Sequence, residues 1–303
     1  MKVAAFFQPG GPEVLQLAEF DTPEAGPGQV RVRVKAAGVQ PYDAAVRAGW
    51  VPPGKGPELP KVPGNEFAGV VDQVGAGVTS AAPGDEVLGF GQLDAYAEYI
   101  VVPADQVTAK PASMPWEVAG GFTAGAQTAH IALQELAVSG GDTLLIHGAA
   151  GAVGTVAVQL AVAWGATVIG TAREENHEYL RLLGAIPVAY GEGLLDRVRA
   201  LAPDGVTVAL DGAGGDALAV SLALVADRKR ILTLVEHDKA SELGIRLTPP
   251  LRSQARLAEL VDLYARGDLR VHVRATYPLE RAADAHREIE TGHGRGKLVI
   301  TLP

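Results

Sequence analysis

The stretch Thr143-Leu144-Leu145-Ile146-His147-Gly148-Ala149-Ala150-Gly151-Ala152-Val153-Gly154-Thr155-Val156-Ala157-Val158-Gln159-Leu160-Ala161 decides how this chain is read. A buried apolar strand, Thr143–His147, runs directly into seven residues none larger than valine, and these open an amphipathic helix. Small residues let the backbone approach a pyrophosphate without Cβ collisions. The first amides of the helix point at its oxygens, with the positive end of the helix dipole behind them. A glycine-rich loop alone is a weak signal, and its weight comes from its surroundings. Short β-branched runs recur at Thr143–His147, Thr167–Thr171, Pro187–Tyr190, Val206–Leu210 and Arg230–Val235, with helical stretches between them. That alternation calls for right-handed βαβ crossovers and a parallel sheet covered on both faces.

Residues 114–248 are therefore expected to form a doubly wound α/β domain of the Rossmann type. Towards the N-terminus the period changes from helical to alternating. Gln29-Val30-Arg31-Val32-Arg33-Val34-Lys35 puts valines on one face and charges on the other, as in a half-buried antiparallel strand. Phe67–Val74 and Tyr96–Val102 read as further strands, punctuated by Pro-Gly turns at 27–28 and 83–84. Residues 1–113 are expected to be a small β-rich domain. After Pro249-Pro250 come a helical pattern from Ser253 to Arg266, a segment from Leu269 to Tyr277, a helix beginning near Pro278 and an apolar strand, Lys297–Leu302. No helix follows that strand, so residues 249–303 are expected to return to the β domain.

The chain has 303 residues, 48 % of them hydrophobic, which excludes a disordered polymer and suggests two domains. Its net charge of −9 repels nucleic acid and anionic membranes, so a phosphate-bearing ligand must find a local site. There is no cysteine, which removes disulfides, thiolate nucleophiles, iron–sulfur clusters and cysteine-containing zinc sites. His130, His147, His177, His237, His272, His286 and His293 show no i,i+4 pair, and neither a G-x-S-x-G elbow nor a Walker lysine is present. The apolar stretch before Pro9 is too short for a signal-peptide core, and no window approaches the ~18 apolar residues of a membrane span. The expected location is cytoplasmic.

In the loop, Ala149 stands at the first glycine of G-x-G-x-x-G, with Gly151 and Gly154 at the other two. Alanine is tolerable there if the turn keeps φ negative. At the end of the second strand a free ribose 2′-hydroxyl would call for Asp or Glu. The residues found are Gly170-Thr171-Ala172-Arg173, a guanidinium and no carboxylate, which favours a 2′-phosphate and hence NADPH. His177 lies one turn further on, and Tyr190 ends the next strand beside the same pocket. The alternative for Arg173 is a solvated residue opening the helix before Glu174 and Glu175. The cofactor-binding residues expected are Ala150, Gly151, Ala152, Val153, Thr171, Arg173, His177 and Tyr190, joined by Gly212, Leu234 and Val235 at the ends of later strands.

With these features in place, the whole chain resembles the quinone oxidoreductase branch of the medium-chain dehydrogenase/reductase superfamily, the zinc-independent group that includes zeta-crystallin. The resemblance is carried by Gly38-Val39-Gln40-Pro41-Tyr42-Asp43 with Arg47-Ala48-Gly49, then Val62-Pro63-Gly64-Asn65-Glu66-Phe67-Ala68-Gly69-Val70-Val71, Pro83-Gly84-Asp85-Glu86-Val87, His147–Gly154, Leu183-Gly184-Ala185, Tyr277-Pro278-Leu279, Ala285-His286 and Gly296-Lys297-Leu298-Val299. It implies a GroES-like catalytic domain from residues 1–113 and 249–303, a Rossmann NADPH domain from 114–248, and a homodimer. It also places Thr128 near the nicotinamide. Two departures stand out. Asn65 replaces the histidine that binds catalytic metal in the superfamily's zinc alcohol dehydrogenases, and Gln40 stands where this branch often has asparagine.

Without a metal to polarise a carbonyl, the chemistry favours an acceptor that delocalises the incoming charge itself, a quinone or an alkene conjugated to a carbonyl. The resemblance makes the segment with Gln40, Tyr42 and Asp43 the catalytic mouth, and Gln40 and Tyr42 are the catalytic residues it implies. Tyr42 can donate to a developing quinol or enolate oxygen, or it can simply pack under the helix that starts at Pro41. Asp43 and Arg47, at i,i+4, are expected to pair and order that helix. Trp50 can wall the pocket or anchor a loop. The expected activity is NADPH-dependent reduction of a quinone or other small conjugated carbonyl. The alternatives are an alkenal/enone reductase and a catalytically weak NADPH-binding sensor or structural protein.

Overall fold

A computed structural model describes residues 1–303. The chain divides into two compact units: Met1–Ala124 with Ser253–Asp268 and His272–Pro303, and Gly125–Arg252 with Leu269–Val271. The boundaries differ from the expected 113/114 and 248/249 for local reasons. Residues 114–124 pack on the sheet of the first unit, where a Cβ on Gly120 would lie 2.5 Å from that of Ala36. Residues 269–271 join the second unit because the Gln159 amide brackets Arg270, donating to its carbonyl at 2.9 Å and accepting from its N–H at 2.9 Å.

In the first unit, β1 (Lys2–Ala5) and β2 (Gln16–Glu19) pair antiparallel. β3 (Gln29–Val39), β4 (Glu66–Val74), β5 (Glu86–Phe90), β6 (Tyr99–Pro103) and β7 (Val107–Ala109) form most of a seven-stranded sheet. Helix α1 (Pro41–Arg47) leaves the end of β3, and α2 (Trp116–Gly120) follows β7. The alternation read in Gln29–Lys35 is realised: Val30, Val32 and Val34 are buried, at 0–1 % exposure.

Helix α3 (Thr123–Glu135) leads into the second unit. There β8 (Thr143–His147), α4 (Ala152–Ala163), β9 (Thr167–Ala172), α5 (His177–Leu182), β10 (Ile186–Ala189), α6 (Leu194–Leu201), β11 (Val208–Asp211), α7 (Gly215–Leu224), β12 (Ile231–Thr233), α8 (Ala240–Leu243) and β13 (Arg246–Leu247) follow in turn. All six strands are parallel, in the order β10-β9-β8-β11-β12-β13. That is the 3-2-1-4-5-6 order of dinucleotide-binding folds, with the winding reversing between β8 and β11, where ligands bind beyond the carboxyl ends of the strands.

The first unit then resumes with α9 (Gln254–Arg266), β14 (Val273–Pro278), α10 (Ala282–Glu290) and β15 (Lys297–Thr301). Ser253 caps α9 by accepting from the Arg256 N–H at 3.2 Å. Strand β15 pairs antiparallel with β3 and parallel with β14, so the last strand does return to the β-rich unit. Each unit has its own apolar core, one centred on the β3–β4 region and one between the parallel sheet and its helices.

Candidate functional site

In the second unit the glycine loop behaves as its composition dictates. The chain turns at Gly148, which has φ +73°, so Ala149 escapes the left-handed region and is tolerated at the first motif position. Gly151 caps α4 in extended conformation (φ −71°, ψ 178°), and no side chain caps the first turn. A Cβ on Gly154 would lie 2.4 Å from Gly148 O and 2.6 Å from Ala149 Cα, so Gly154 is the glycine of close helix–strand packing. The loop is tied to β9, since the Ala149 N–H donates to Thr171 O at 3.1 Å and the Gly148 N–H to Thr171 Oγ1 at 3.3 Å. Ala150 is buried, while Gly151, Ala152 and Val153 are half-buried.

Beyond β9, the Arg173 Nε donates to Tyr190 Oη at 2.9 Å, bringing together two expected residues from adjacent strand ends. Both are exposed, Tyr190 at 49 %. His177 sets its Nε2 3.3 Å from Ala172 O, which ties the ring to the same turn. At the ends of the central strands, the Gly212 N–H donates to His147 O at 3.2 Å and the Leu234 N–H to Asp211 O at 2.8 Å, with Val235 exposed beside them. Thr128 is half-buried on α3, near whose start a Cβ on Gly125 would come within 3.2 Å of Ala152 O.

His147, under the loop, is a satisfied core imidazole with Nε2 3.0 Å from Ser221 Oγ. Burial pushes its pKa down to about 4, against the opposing charge of Asp211. Asp211 organises the following turn. One oxygen accepts from the Ala213 and Gly214 N–H groups at 3.0 and 2.8 Å, and the other accepts from Thr233 Oγ1 at 2.8 Å. No motif pointed to Asp211, whose register opposite His147 is set by sheet order alone.

In the first unit, Gln40 is the N-cap of α1, with Pro41 at the first helical position. Tyr42 is half-buried, its ring edge-on to Trp50 at 5.2 Å between centroids. The expected Asp43–Arg47 pair does not form. Asp43 is fully buried and accepts from the Gln40 N–H at 2.9 Å, the Gly64 N–H at 3.1 Å and the Tyr96 hydroxyl at 3.1 Å. Arg47 reaches into another part of the unit. It donates to Gly10 O at 3.0 Å, forms an ion pair with Glu290 on α10, and sets Nη1 3.4 Å from His286 Nδ1. Helical spacing makes Asp43 and Arg47 neighbours, but each is captured by a buried partner far away in sequence.

These contacts form a chain with one direction. Arginine only donates, so His286 Nδ1 accepts, its Nε2 carries the proton and donates to Tyr96 Oη at 3.3 Å, and the Tyr96 hydroxyl donates to Asp43. Burial, with the Arg47 charge beside it, lowers the His286 pKa to about 3. Burial raises Asp43 to about 7, against the Lys297 charge and its hydrogen bonds from Tyr96 and Gln40. The neighbouring Glu66–Lys297 ion pair, 2.5 Å apart, is also buried, at 0 and 2 % exposure.

Comparison with known proteins bears on what such units are. Residues 26–112 match the alcohol dehydrogenase GroES-like domain, and residues 183–300 match the family described as zinc-binding dehydrogenase. A quinone oxidoreductase of Pseudomonas aeruginosa is 32 % identical, over 96 % of each protein. The chain belongs to the zinc-independent quinone oxidoreductase family of medium-chain dehydrogenase/reductases. The solved Escherichia coli quinone oxidoreductase complexed with NADPH superimposes with a TM-score of 0.88 at 28 % identity, covering all of both chains. A pikromycin polyketide synthase component of Streptomyces venezuelae is 35 % identical over 94 % of the chain, which spans only 8 % of that much longer protein.

The zinc in the second family's description does not fit the donors present. The chain has no cysteine, Asn65 stands in the G-x-E segment, and no three His, Asp or Glu side chains converge. No helix is long and apolar enough to cross a membrane.

Proposed function

We propose that this chain is an NADPH-dependent reductase that transfers hydride to a quinone or another carbonyl-conjugated small molecule without a metal. The observation that carries this reading is the Arg173–Tyr190 pair just beyond β9, whose last residues Thr171 and Ala172 offer no carboxylate to a free ribose hydroxyl, with Glu175 3.9 Å from the same guanidinium. A guanidinium held by a phenol beside a glycine-rich helix N-terminus suits a 2′-phosphate on a dinucleotide whose pyrophosphate lies over Gly151–Val153. The E. coli relative solved with NADPH supports the same cofactor. Thr171, His177, Gly212, Leu234, Val235 and Thr128 complete its surroundings in this reading.

When bound, the cofactor supplies a hydride, two electrons with one hydrogen, and leaves as NADP+. With one further proton, a quinone becomes its hydroquinone. The chain's part is to hold the acceptor, stabilise the charge that develops on its oxygen and deliver that proton. The segment Gln40–Tyr42 carries this role, with Tyr42 as the proton donor. A cytoplasmic homodimer belongs to the same reading, and solution mass measurement tests the assembly.

The cofactor assignment is tested by titrating NADPH and NADH against the wild type and Arg173→Ala. A charge-assisted contact is worth roughly 1.5–3 kcal/mol, about one to two decades in affinity. NADPH is expected to bind the wild type tighter than NADH by that factor, and the variant is expected to lose the preference. Equal affinities in the wild type overturn the assignment.

A further inference from the structure

We infer that Asn65 is the hydrogen-bond donor that meets the acceptor's oxygen, and that the buried Glu66–Lys297 pair, acting through Gln40, fixes the direction of its amide. This rests on the reductase reading above.

Glu66 is surrounded by donors. Its Oε1 faces Lys297 Nζ at 2.5 Å and Gln40 Nε2 at 3.3 Å, and its Oε2 accepts from the Ala124 N–H at 2.6 Å. Two glycines make room for the pair. A Cβ on Gly38 would fall 2.0 Å from Glu66 Oε1, and one on Gly121 would fall 2.7 Å from Lys297 Cγ. A carboxylate only accepts, so the end of the Gln40 amide that faces it must be the NH2 group. The same nitrogen donates to Asn65 Oδ1, so both N–H bonds of the Gln40 amide are directed inward.

The direction then passes to Asn65. Its Oδ1 accepts from Gln40, so its Nδ2 must point the other way. The residue is buried, at 4 % exposure, and its backbone is fixed by the Gly91 N–H, which donates to Asn65 O at 3.2 Å. Its Nδ2 hydrogen-bonds to nothing in the chain, yet it is not among the sealed, unpartnered polar atoms of the interior and keeps contact with solvent. A buried ion pair is weak evidence for stability. Here it sets the polarity of two amides in series and leaves the Asn65 Nδ2 N–H bonds without a partner in the chain. A neutral amide donor stabilises negative charge developing on a quinone or enone oxygen as the hydride arrives. Gln40 is then a positioning residue, and Asn65 joins the proton donor Tyr42 as a catalytic one.

The test is a double-mutant cycle on NADPH-dependent reduction of 1,4-benzoquinone, with NADPH affinity measured in parallel by fluorescence. Asn65→Ala, and Asn65→Asp, which keeps the acceptor toward Gln40 but lacks the donor, are expected to lower kcat by ~10- to 100-fold with NADPH affinity unchanged. Gln40→Met is expected to lower kcat about 10-fold. Combined with Asn65→Ala it should lower kcat no further, because Gln40 acts only through Asn65. Wild-type kcat in both Asn65 variants, or multiplicative losses in the double variant, overturns the inference.

Side-chain amide exchange measured by NMR gives a readout independent of turnover. The Gln40 Nε2 protons should be protected and those of Asn65 Nδ2 should exchange fast, and the reverse pattern overturns the assigned polarity. A wild type that reduces no quinone, enal or enone but shows the expected exchange pattern refutes the reductase reading, not the polarity.

Discussion

Gly151 and Gly154 are both loop glycines in sequence, yet a side chain would meet different surroundings at each. At Gly151 an added Cβ meets only Gly148 O, at 3.2 Å, whereas at Gly154 it runs into backbone at 2.4 and 2.6 Å. Gly151→Val is therefore expected to stay folded, with an unchanged circular dichroism spectrum, and to bind NADPH at least ~100-fold more weakly, because its side chain occupies the approach to the pyrophosphate. Gly154→Ala is expected to lower stability by roughly 1–3 kcal/mol through overpacking of α4 against the Gly148–Ala149 backbone that follows β8. Denaturant unfolding and cofactor titration on both variants check the distinction. Full NADPH affinity in a folded Gly151→Val would place the phosphates elsewhere.

At the scale of elements, β8, α1 and α10 carry a pH dependence that can be given a sign. His147 and His286 have folded pKa values of about 4 and 3, below the 6.5 of an exposed imidazole, so between those values unfolding takes up a proton at each. Their contribution to stability is complete above pH 6.5 and is lost as pH falls. Asp43, raised to about 7, does the opposite, and unfolding releases its proton between about pH 4 and 7. The net uptake by these three groups rises from near zero at pH 6.5 to about one proton at pH 5, so they should make stability fall with a slope that steepens to about 1.4 kcal/mol per pH unit at pH 5. Asp43→Asn removes the opposing proton and should roughly double the slope. Urea unfolding across that range measures both, and an unchanged slope in Asp43→Asn would mean that the carboxyl is already ionised at pH 5.

The same elements mark where the sequence is legible. Strand β8, the glycine loop and the returning β15 follow from local patterns of period, small residues and a missing helix. The partners of Asp43 and Arg47 do not, because Tyr96, His286 and Glu290 lie 53, 239 and 243 residues from the groups they meet. Asn65 is visible in the sequence only as the residue replacing a metal-binding histidine. Its amide direction depends on Glu66, Lys297 and Gln40 meeting in space, and no spacing along the chain encodes that. Arg173 and Tyr190, by contrast, stand at adjacent strand ends once the strand order is read correctly, and their hydrogen bond was within reach of sequence reasoning.

For the whole molecule, the two units combine a dinucleotide-binding strand order with a β-rich unit whose polar interior is organised around hydrogen-bond direction rather than metal ligands. The purified protein is accordingly expected to contain no stoichiometric zinc and to keep its activity in the presence of chelators, and elemental analysis finding about one zinc per chain would require ligands this fold does not bring together. The most direct measurement is NADPH oxidation by the full chain against a panel of quinones, enals and enones. Turnover of at least one of these acceptors is the expected result, with one reduced acceptor formed per NADPH consumed and little rate with NADH at equal concentration. NADPH binding without turnover of any acceptor would contradict it.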